Sequence, residues 1–223
     1  MIEQAKALLD SLAITFDFPI LEFIRNYLSC DFLDKAMPYI TLFGEWGAFW
    51  IAIAVIMLCF RGTRKTGWSI GAALVLGLIV CNIVLKNLIG RERPFFFYTA
   101  ERMAAYDLPQ LKNWVPVTEG DIKWLVASDL HKSFPSGHTI ACFEASTVLL
   151  IKNKWLGIPA AVIAFLVAFS RLYLYVHYPS DVIFSMFAGI LLGLLGCAIV
   201  AIVYKFLPEK RGKYQRANLL IRG

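Results

Sequence analysis

The sequence has little charge and few groups that titrate near neutral pH. Only 17% of its 223 residues are charged, 59% are hydrophobic, and three are histidines. A soluble domain typically has about 25% charged and about 45–50% apolar residues. The composition therefore argues against an ordinary soluble domain and indicates an integral membrane protein. The length suits one bundle of five or six spans, so we expect residues 1–223 to form a single domain.

Metal-binding and disulfide patterns are also missing. The five cysteines include no Cys-x-x-Cys pair, and four of them lie inside apolar runs. This spacing argues against a disulfide framework and against a structural zinc site. No cluster of carboxylates suited to magnesium is evident. We therefore expect neither a metal nor another cofactor.

Long apolar runs are what the sequence has in abundance. About 20 helical residues cross the hydrocarbon core of a bilayer, and we predict five spans, over residues 38–60, 67–89, 138–151, 155–175 and 181–204. Residues 5–30 carry too many charges for a comfortable span. They are expected to form an amphipathic helix in the interface or a short, imperfect first span. The predicted fold is an all-α membrane bundle of about six helices.

The basic residues predict the orientation of the bundle. A net charge of +6 could suggest nucleic acid in a soluble protein, but here the charges concentrate in the turns 61–65 and 152–154 and in the tail 205–223. Alternating spans place all three on one side, which the positive-inside rule makes cytoplasmic. Three polar segments, 86–93, 135–138 and 171–181, then meet on the extracytoplasmic side. We expect a bilayer partner and no nucleic acid.

Two further features are open to interpretation. Glu45, near the start of the span over residues 38–60, could face a polar cavity or could lie at headgroup depth. The connection 95–134 is rich in aromatic residues, so we expect it to lie on the bilayer surface or to cover the site.

The segment 135–138, with the sequence Pro-Ser-Gly-His, has the features of an anion site. Proline is favoured at the first position of a helix. Ser136, Gly137 and His138 would then offer free backbone N–H groups at the helix mouth, where an anion is stabilised. A phosphate bound there would have the His138 ring beside it.

The segment 171–181 pairs a second histidine with an acid. Pro179 is expected to start the last helix, because proline inside a helix is unfavourable. His177 then lies in the preceding bend, and Asp181 lies in the first helical turn. From there the carboxylate can hold the imidazole in one tautomer, as in many nucleophilic and acid–base sites.

Three cations, Lys86, Arg93 and Arg171, are expected on the same side as the two histidines. Without matching acids they would repel one another, and a dianion such as phosphate would relieve this. A phosphate site beside two histidines, one of them oriented by an acid, is typical of phosphoryl transfer through a phosphohistidine.

These motifs carry a resemblance to a known family. Lys86-x6-Arg93-Pro94, Pro135-Ser136-Gly137-His138 and Ser170-Arg171-x5-His177-x3-Asp181 resemble the three-part signature of the type 2 phosphatidic acid phosphatases. Vanadium haloperoxidases and the phosphatase of glucose 6-phosphate share that signature. The matching region runs from Lys86 to Asp181, and the flanking spans fit the six-helix membrane branch of the family.

The resemblance implies a role for each matching residue. His177 would be the nucleophile, Asp181 would orient it, and His138 would protonate the leaving oxygen and then activate water. The phosphoryl oxygens would be bound by Lys86, Arg93, Ser136, Gly137 and Arg171. The implied substrate is a lipid phosphate or diphosphate, with undecaprenyl diphosphate, the lipid carrier of cell-wall synthesis, favoured over phosphatidylglycerol phosphate and phosphatidic acid.

Two other functions use the same residues. A transporter or binding protein for an anion or a lipid could use the cations without turnover, although binding alone needs no oriented nucleophile. Vanadate-dependent peroxidation is a third interpretation, disfavoured because that chemistry belongs to soluble members of the family. The sequence predicts no oligomeric state.

Overall fold

The computed structural model describes residues 2–94 and 132–206, which form six helical segments. Most of the aromatic connection 95–134 and the tail 207–223 lie outside the described residues. Helix α1 covers residues 2–28 and includes two wide, π-helical stretches, Ala13–Asp17 and Ile24–Leu28. The others are α2 (Asp31–Cys59), α3 (Arg64–Ile89), α4 (Gly137–Lys152), α5 (Lys154–Tyr173) and α6 (Pro179–Phe206).

Four of these helices, α2, α3, α5 and α6, are long and apolar enough to cross a membrane. The fifth predicted span is α4, whose 16 residues extend about 24 Å at 1.5 Å per residue, less than the hydrocarbon core of about 30 Å. Helix α4 lies at the centre of the bundle, where it contacts α3, α5 and α6. Its neighbours therefore shield most of its length.

The predicted all-α membrane bundle of about six helices is confirmed. Each predicted span corresponds to one of α2–α6, and the largest difference is at the start of α2. That helix begins at Asp31 rather than at residue 38, because Asp31 and Asp34 in its first turn suit the helix N-terminus. All five cysteines lie within the described residues and carry free thiols.

Helix α1 packs along the bundle and is not among the candidate spans. Its buried apolar residues Phe18 and Leu21 contact Tyr175 and Tyr178 in the bend between α5 and α6. Other apolar side chains of α1, such as Phe23 and Tyr27, are exposed. This arrangement favours the amphipathic interpretation of residues 5–30 over that of an imperfect span.

Helix α2 is interrupted near its middle. Residues Thr41–Gly47 form a tight 3-10 stretch in which Glu45 has an extended ψ of 120°. Trp46 and Gly47 follow with positive φ angles of 52° and 66°. A positive φ is unfavourable for the tryptophan, which has a Cβ, and favourable for the glycine. The interruption turns the chain at Glu45, and the apolar part of α2 restarts at Ala48.

The basic turns that the sequence predicts on one side of the bundle lie at the same end of it. At one end, the Lys65 ammonium lies 4.9 Å from the centre of the Tyr204 ring, which joins the start of α3 to the end of α6. The turn between α4 and α5, with Lys152 and Lys154, is at this same end of the antiparallel bundle. The opposite end holds the end of α3, the start of α4 and the bend between α5 and α6.

Candidate active site

The three predicted motifs meet around one cavity of about 570 Å³. Six of the eight predicted site residues line it: Lys86, Arg93, Gly137, His138, Arg171 and His177. They come from the end of α3, the start of α4 and the bend after α5. The convergence follows from helix order, because these segments all lie at the same end of the bundle.

A backbone contact aligns the first two motifs. Glu92 and Lys132 form an antiparallel bridge, and the Ser133 N–H donates to the Arg91 carbonyl over 2.6 Å. This pairing brings the residues just before α4 alongside the residues just after α3. It explains how Arg93 and the start of α4 can face the same cavity.

The nucleophile candidate, His177, is buried in the bend between α5 and α6. The bend begins where α5 ends and includes Tyr175, whose φ is 59°. As predicted, α6 begins at Pro179, with Asp181 in its first turn. Burial and the positive charges of Arg93, Arg171 and Lys86 hold the pKa of His177 well below its usual range. The imidazole is therefore neutral at neutral pH, as a nucleophile must be.

The contact between His177 and Asp181 passes through a hydroxyl that the sequence interpretation missed. The His177 Nδ1 atom lies 3.8 Å from Asp181 Oδ2, too far for a direct hydrogen bond. Ser133 donates its hydroxyl to Asp181 Oδ2, and the same hydroxyl lies 3.5 Å from His177 Nδ1. The Nδ1 edge of the His177 ring therefore faces Ser133 and Asp181, and Nε2 is the nitrogen left for the cavity that His177 lines.

Asp181 is held by a buried guanidinium, that of Arg91, which was also not predicted. Arg91 Nη1 lies 2.5 Å from Asp181 Oδ1, and Arg91 Nη2 lies 2.7 Å from Asp17 Oδ2 in α1. Its plane covers the Tyr178 ring, 3.7 Å from the centroid. Burial alone would lower the pKa of Arg91, but Asp181 and Asp17 outweigh it and raise that pKa. This cluster connects α1 to Asp181, the acid beside the candidate nucleophile.

The segment 135–138 differs in detail from the prediction. Helix α4 begins at Gly137, with Ser136 as its N-cap, so Pro135 is not its first residue. The Ser136 N–H donates to Ser185 Oγ over 2.8 Å, so it is not free for an anion. The Ser136 hydroxyl is buried and lies 2.9 Å from that of Thr139. Gly137 and His138 line the cavity, and Ser136 supports the helix start behind them.

The three predicted cations line the cavity, and hydrogen bonds to the rest of the protein hold two of them. Arg93 Nη1 donates to the Val176 carbonyl over 3.0 Å, next to His177. Arg171 Nη1 donates to Thr41 Oγ1 over 2.6 Å, in the 3-10 stretch of α2. Lys86 lines the cavity from the last turn of α3. Three cations beside one cavity suit a phosphate dianion.

Glu45 lines this cavity, as the first of the two interpretations of its position predicts. Its Oε2 atom lies 2.9 Å from His138 Nε2. From this site the cavity continues between α2 and α3 along apolar residues as far as Leu58 and Trp68. The helical stretch from Ala48 to Leu58 along this groove rises about 15 Å. A groove of this length and character could accommodate part of an acyl or prenyl chain.

Comparisons with known proteins agree with this geometry. A family profile described as the PAP2 superfamily matches residues 66–209, which include all eight predicted site residues. The chain belongs to this superfamily. It is 31% identical over 169 residues to an undecaprenyl-diphosphatase of Sulfolobus acidocaldarius, covering 75% of this chain and 69% of the relative. It is 26% identical to the undecaprenyl-diphosphatase BcrC of Bacillus subtilis, covering 73% and 72% of the two chains.

The fold has a solved counterpart in the superfamily. The transmembrane PAP2-type phosphatidylglycerolphosphate phosphatase of Bacillus subtilis superposes with a TM-score of 0.56 at 23% identity, covering 94% of this chain and 97% of the other. At this identity the likeness establishes the architecture alone. This PAP2 chain is therefore a multi-pass membrane protein.

Proposed function

We propose that this PAP2 protein is a lipid phosphatase in which residues 1–223 act as one domain and undecaprenyl diphosphate is the favoured substrate. The observation that carries the proposal is the meeting of two histidines and three cations around one cavity that continues into an apolar groove. The cations match a phosphoryl group, and the groove matches a lipid tail. The two undecaprenyl-diphosphatase relatives support the choice of a prenyl diphosphate.

The proposed reaction has two halves. In the first, His177 Nε2 forms a bond to the terminal phosphorus while the bridging P–O bond breaks. His138 donates a proton to the leaving oxygen, which releases the lipid monophosphate. In the second, His138 takes a proton from water, the water oxygen bonds to phosphorus, and the P–N bond breaks. Lys86, Arg93 and Arg171 stabilise the charge on the phosphoryl oxygens in both halves.

The proposal includes the side of the membrane and the absence of a metal. The basic turns at the far end of the bundle support an extracytoplasmic site by the positive-inside rule. Two guanidinium groups and one ammonium group already provide the positive charge that a metal ion often provides in phosphoryl transfer. We therefore expect turnover in the presence of a chelator.

Phosphate release by the purified protein tests the proposal. The substrates are undecaprenyl diphosphate, undecaprenyl phosphate, phosphatidylglycerol phosphate and phosphatidic acid, each with and without chelator. We expect release to be fastest from the diphosphate, to persist with chelator, and to be lost in His177→Ala. Radiolabelled substrate should leave an acid-labile, base-stable phosphate on the parent protein, as expected for a phosphohistidine.

Each alternative predicts a different result. A transporter or binding protein would bind the lipid without releasing phosphate, and His177→Ala would leave that binding intact. Release that stops with chelator would overturn metal independence. Equal release by the His177→Ala variant would overturn the phosphohistidine mechanism.

A further inference from the structure

Glu45 lies outside the three motifs but contacts one of their histidines. Its Oε2 atom is 2.9 Å from His138 Nε2, and the two side chains are only 23% and 17% exposed. The residue before it, Gly44, lies so close to the ring that an added Cβ would be 2.9 Å from His138 Cβ and 3.0 Å from Cδ2. Gly44 and Glu45 therefore cover one whole edge of the imidazole.

The interruption of α2 is what brings Glu45 to this position. An uninterrupted helix would continue with helical φ and ψ through residues 45–47, whereas here ψ turns extended at Glu45 and φ turns positive at Trp46. A positive φ at a tryptophan is strained, and strained backbone persists where the surrounding structure holds it. Irregular backbone within a membrane helix is also found where it borders a polar cavity.

The His138 ring lines the same cavity as the other site residues, and with Nε2 held by Glu45, Nδ1 is the ring nitrogen left for a substrate there. Across residues 2–94 and 132–206, the hydrogen bonds of this ring involve Nε2 and not Nδ1. A carboxylate on Nε2 keeps a proton there, so Nδ1 is the nitrogen that changes protonation state. When protonated, Nδ1 can donate to the leaving oxygen, and when neutral it has the lone pair that removes a proton from water.

We propose that Glu45 is a positioning residue that makes His138 Nδ1 the acid and base of the phosphatase reaction. The inference rests on the proposed function and deepens it. His138⁺ gives its Nδ1 proton to the leaving oxygen as the P–O bond breaks, while Glu45 holds the Nε2 proton and balances the positive charge. Neutral His138 then takes a proton from water at Nδ1 as the P–N bond to His177 breaks.

A purely structural role is the competing interpretation. Arg171 and Arg93 also face Glu45, so the carboxylate could serve only to offset their charge. The two roles differ in how much the leaving group matters. Loss of a proton donor harms a substrate whose leaving oxygen is a poor leaving group, whereas disruption of the phosphate site harms all substrates alike.

The test compares kcat/KM for octyl phosphate, an alkyl ester, with that for p-nitrophenyl phosphate, which has an activated leaving group. In Glu45→Gln we expect kcat/KM for octyl phosphate to fall by about 10–100-fold. For p-nitrophenyl phosphate we expect a change below about 3-fold, because its departure needs little protonation. The matched control is Glu22→Gln, on the partly exposed face of α1, which should change neither value.

A double-variant cycle isolates the partner of Glu45. If Glu45 acts through His138, adding Glu45→Gln to His138→Ala should cause no further loss. Thermal unfolding of every variant reports whether it is folded. Equal losses on the two substrates, no loss on either, or additive losses in the double variant would overturn the inference. A parent protein that releases no phosphate from these two substrates or from the four lipids named above would instead overturn the phosphatase function.

Discussion

Replacement of Arg91 by methionine should destabilise the protein strongly, because it removes the one guanidinium shared by two buried carboxylates. Arg91 is 5% exposed, and Asp17 and Asp181 are fully buried. Removal of one partner from a buried ion pair costs about 3–5 kcal/mol, because a charge remains buried and uncompensated. Since 1 kcal/mol shifts the Tm of a chain of this length by about 2–4 °C, we expect Tm to fall by about 6–20 °C.

The measurement is thermal unfolding of the purified protein in one detergent, at one scan rate, because irreversible unfolding makes Tm depend on the rate. Arg25→Met, which removes an exposed arginine of α1, is the matched control and should leave Tm unchanged. Asp17→Asn should cost less than Arg91→Met, because it leaves one guanidinium facing one carboxylate. The activity of Arg91→Met should also fall, because Asp181 loses its anchor.

Two results would refute this reasoning. One is a Tm for Arg91→Met within about 2 °C of the parent, which would mean that water or another group compensates the carboxylates. The other is an equal loss in Arg25→Met, which would mean that the effect comes from general charge and not from the buried cluster.

Three further predictions concern packing, the site and pH. Gly196→Ala should lower Tm, because the added Cβ would lie 2.8 Å from a backbone oxygen of α3. Gly71→Ala is the control and should leave Tm unchanged, because no atom lies within 4 Å of its added Cβ. Equal effects of the two substitutions on Tm would contradict this prediction. Ser133→Ala should lower kcat about 10-fold with KM little changed, since the Ser133 hydroxyl links His177 to Asp181. An unchanged kcat would show that this hydroxyl has no part in the reaction. Because the pKa of His177 is lowered on folding, only the unfolded chain takes up its proton below about pH 6.5. Stability should therefore fall as pH drops through this range, and Tm scans from pH 8 to pH 5 should show a smaller fall in His177→Gln; parallel scans would refute the assignment.

The sequence predicted the helices and their grouping because both depend on patterns local to the chain. Apolar length predicted the spans, and alternation of spans predicted which segments share an end. The same reasoning placed six of the predicted site residues at one end of the bundle, where they line one cavity: Lys86, Arg93, Gly137, His138, Arg171 and His177. Span length was less predictable: α4 is short because neighbouring helices shield it, and a single apolar run does not reveal its neighbours.

The contacts between motifs were not predictable in the same way. Asp17 is one charged residue among several in α1, and nothing in the local pattern indicates that it alone is buried against Arg91. Thr41 is an ordinary threonine before the interruption of α2, yet it accepts a hydrogen bond from Arg171. Ser136 has the spacing of a phosphate ligand, but Ser185, almost fifty residues away, accepts its N–H. Each of these contacts depends on how helices pack, which spacing along the chain does not specify.

Three of the residues that contact the site come from before the region that matches the superfamily. The family match begins at residue 66, yet Asp17, Thr41 and Glu45 precede it. Through Arg91, Asp17 holds the acid behind the nucleophile, and Glu45 contacts the proposed proton donor. In this chain, the first two helices thus supply contacts to residues of the signature. A chimera that keeps residues 66–209 but exchanges the first two helices for those of another member should bind phosphate and turn over slowly, unless the new helices bring carboxylates to the same two places.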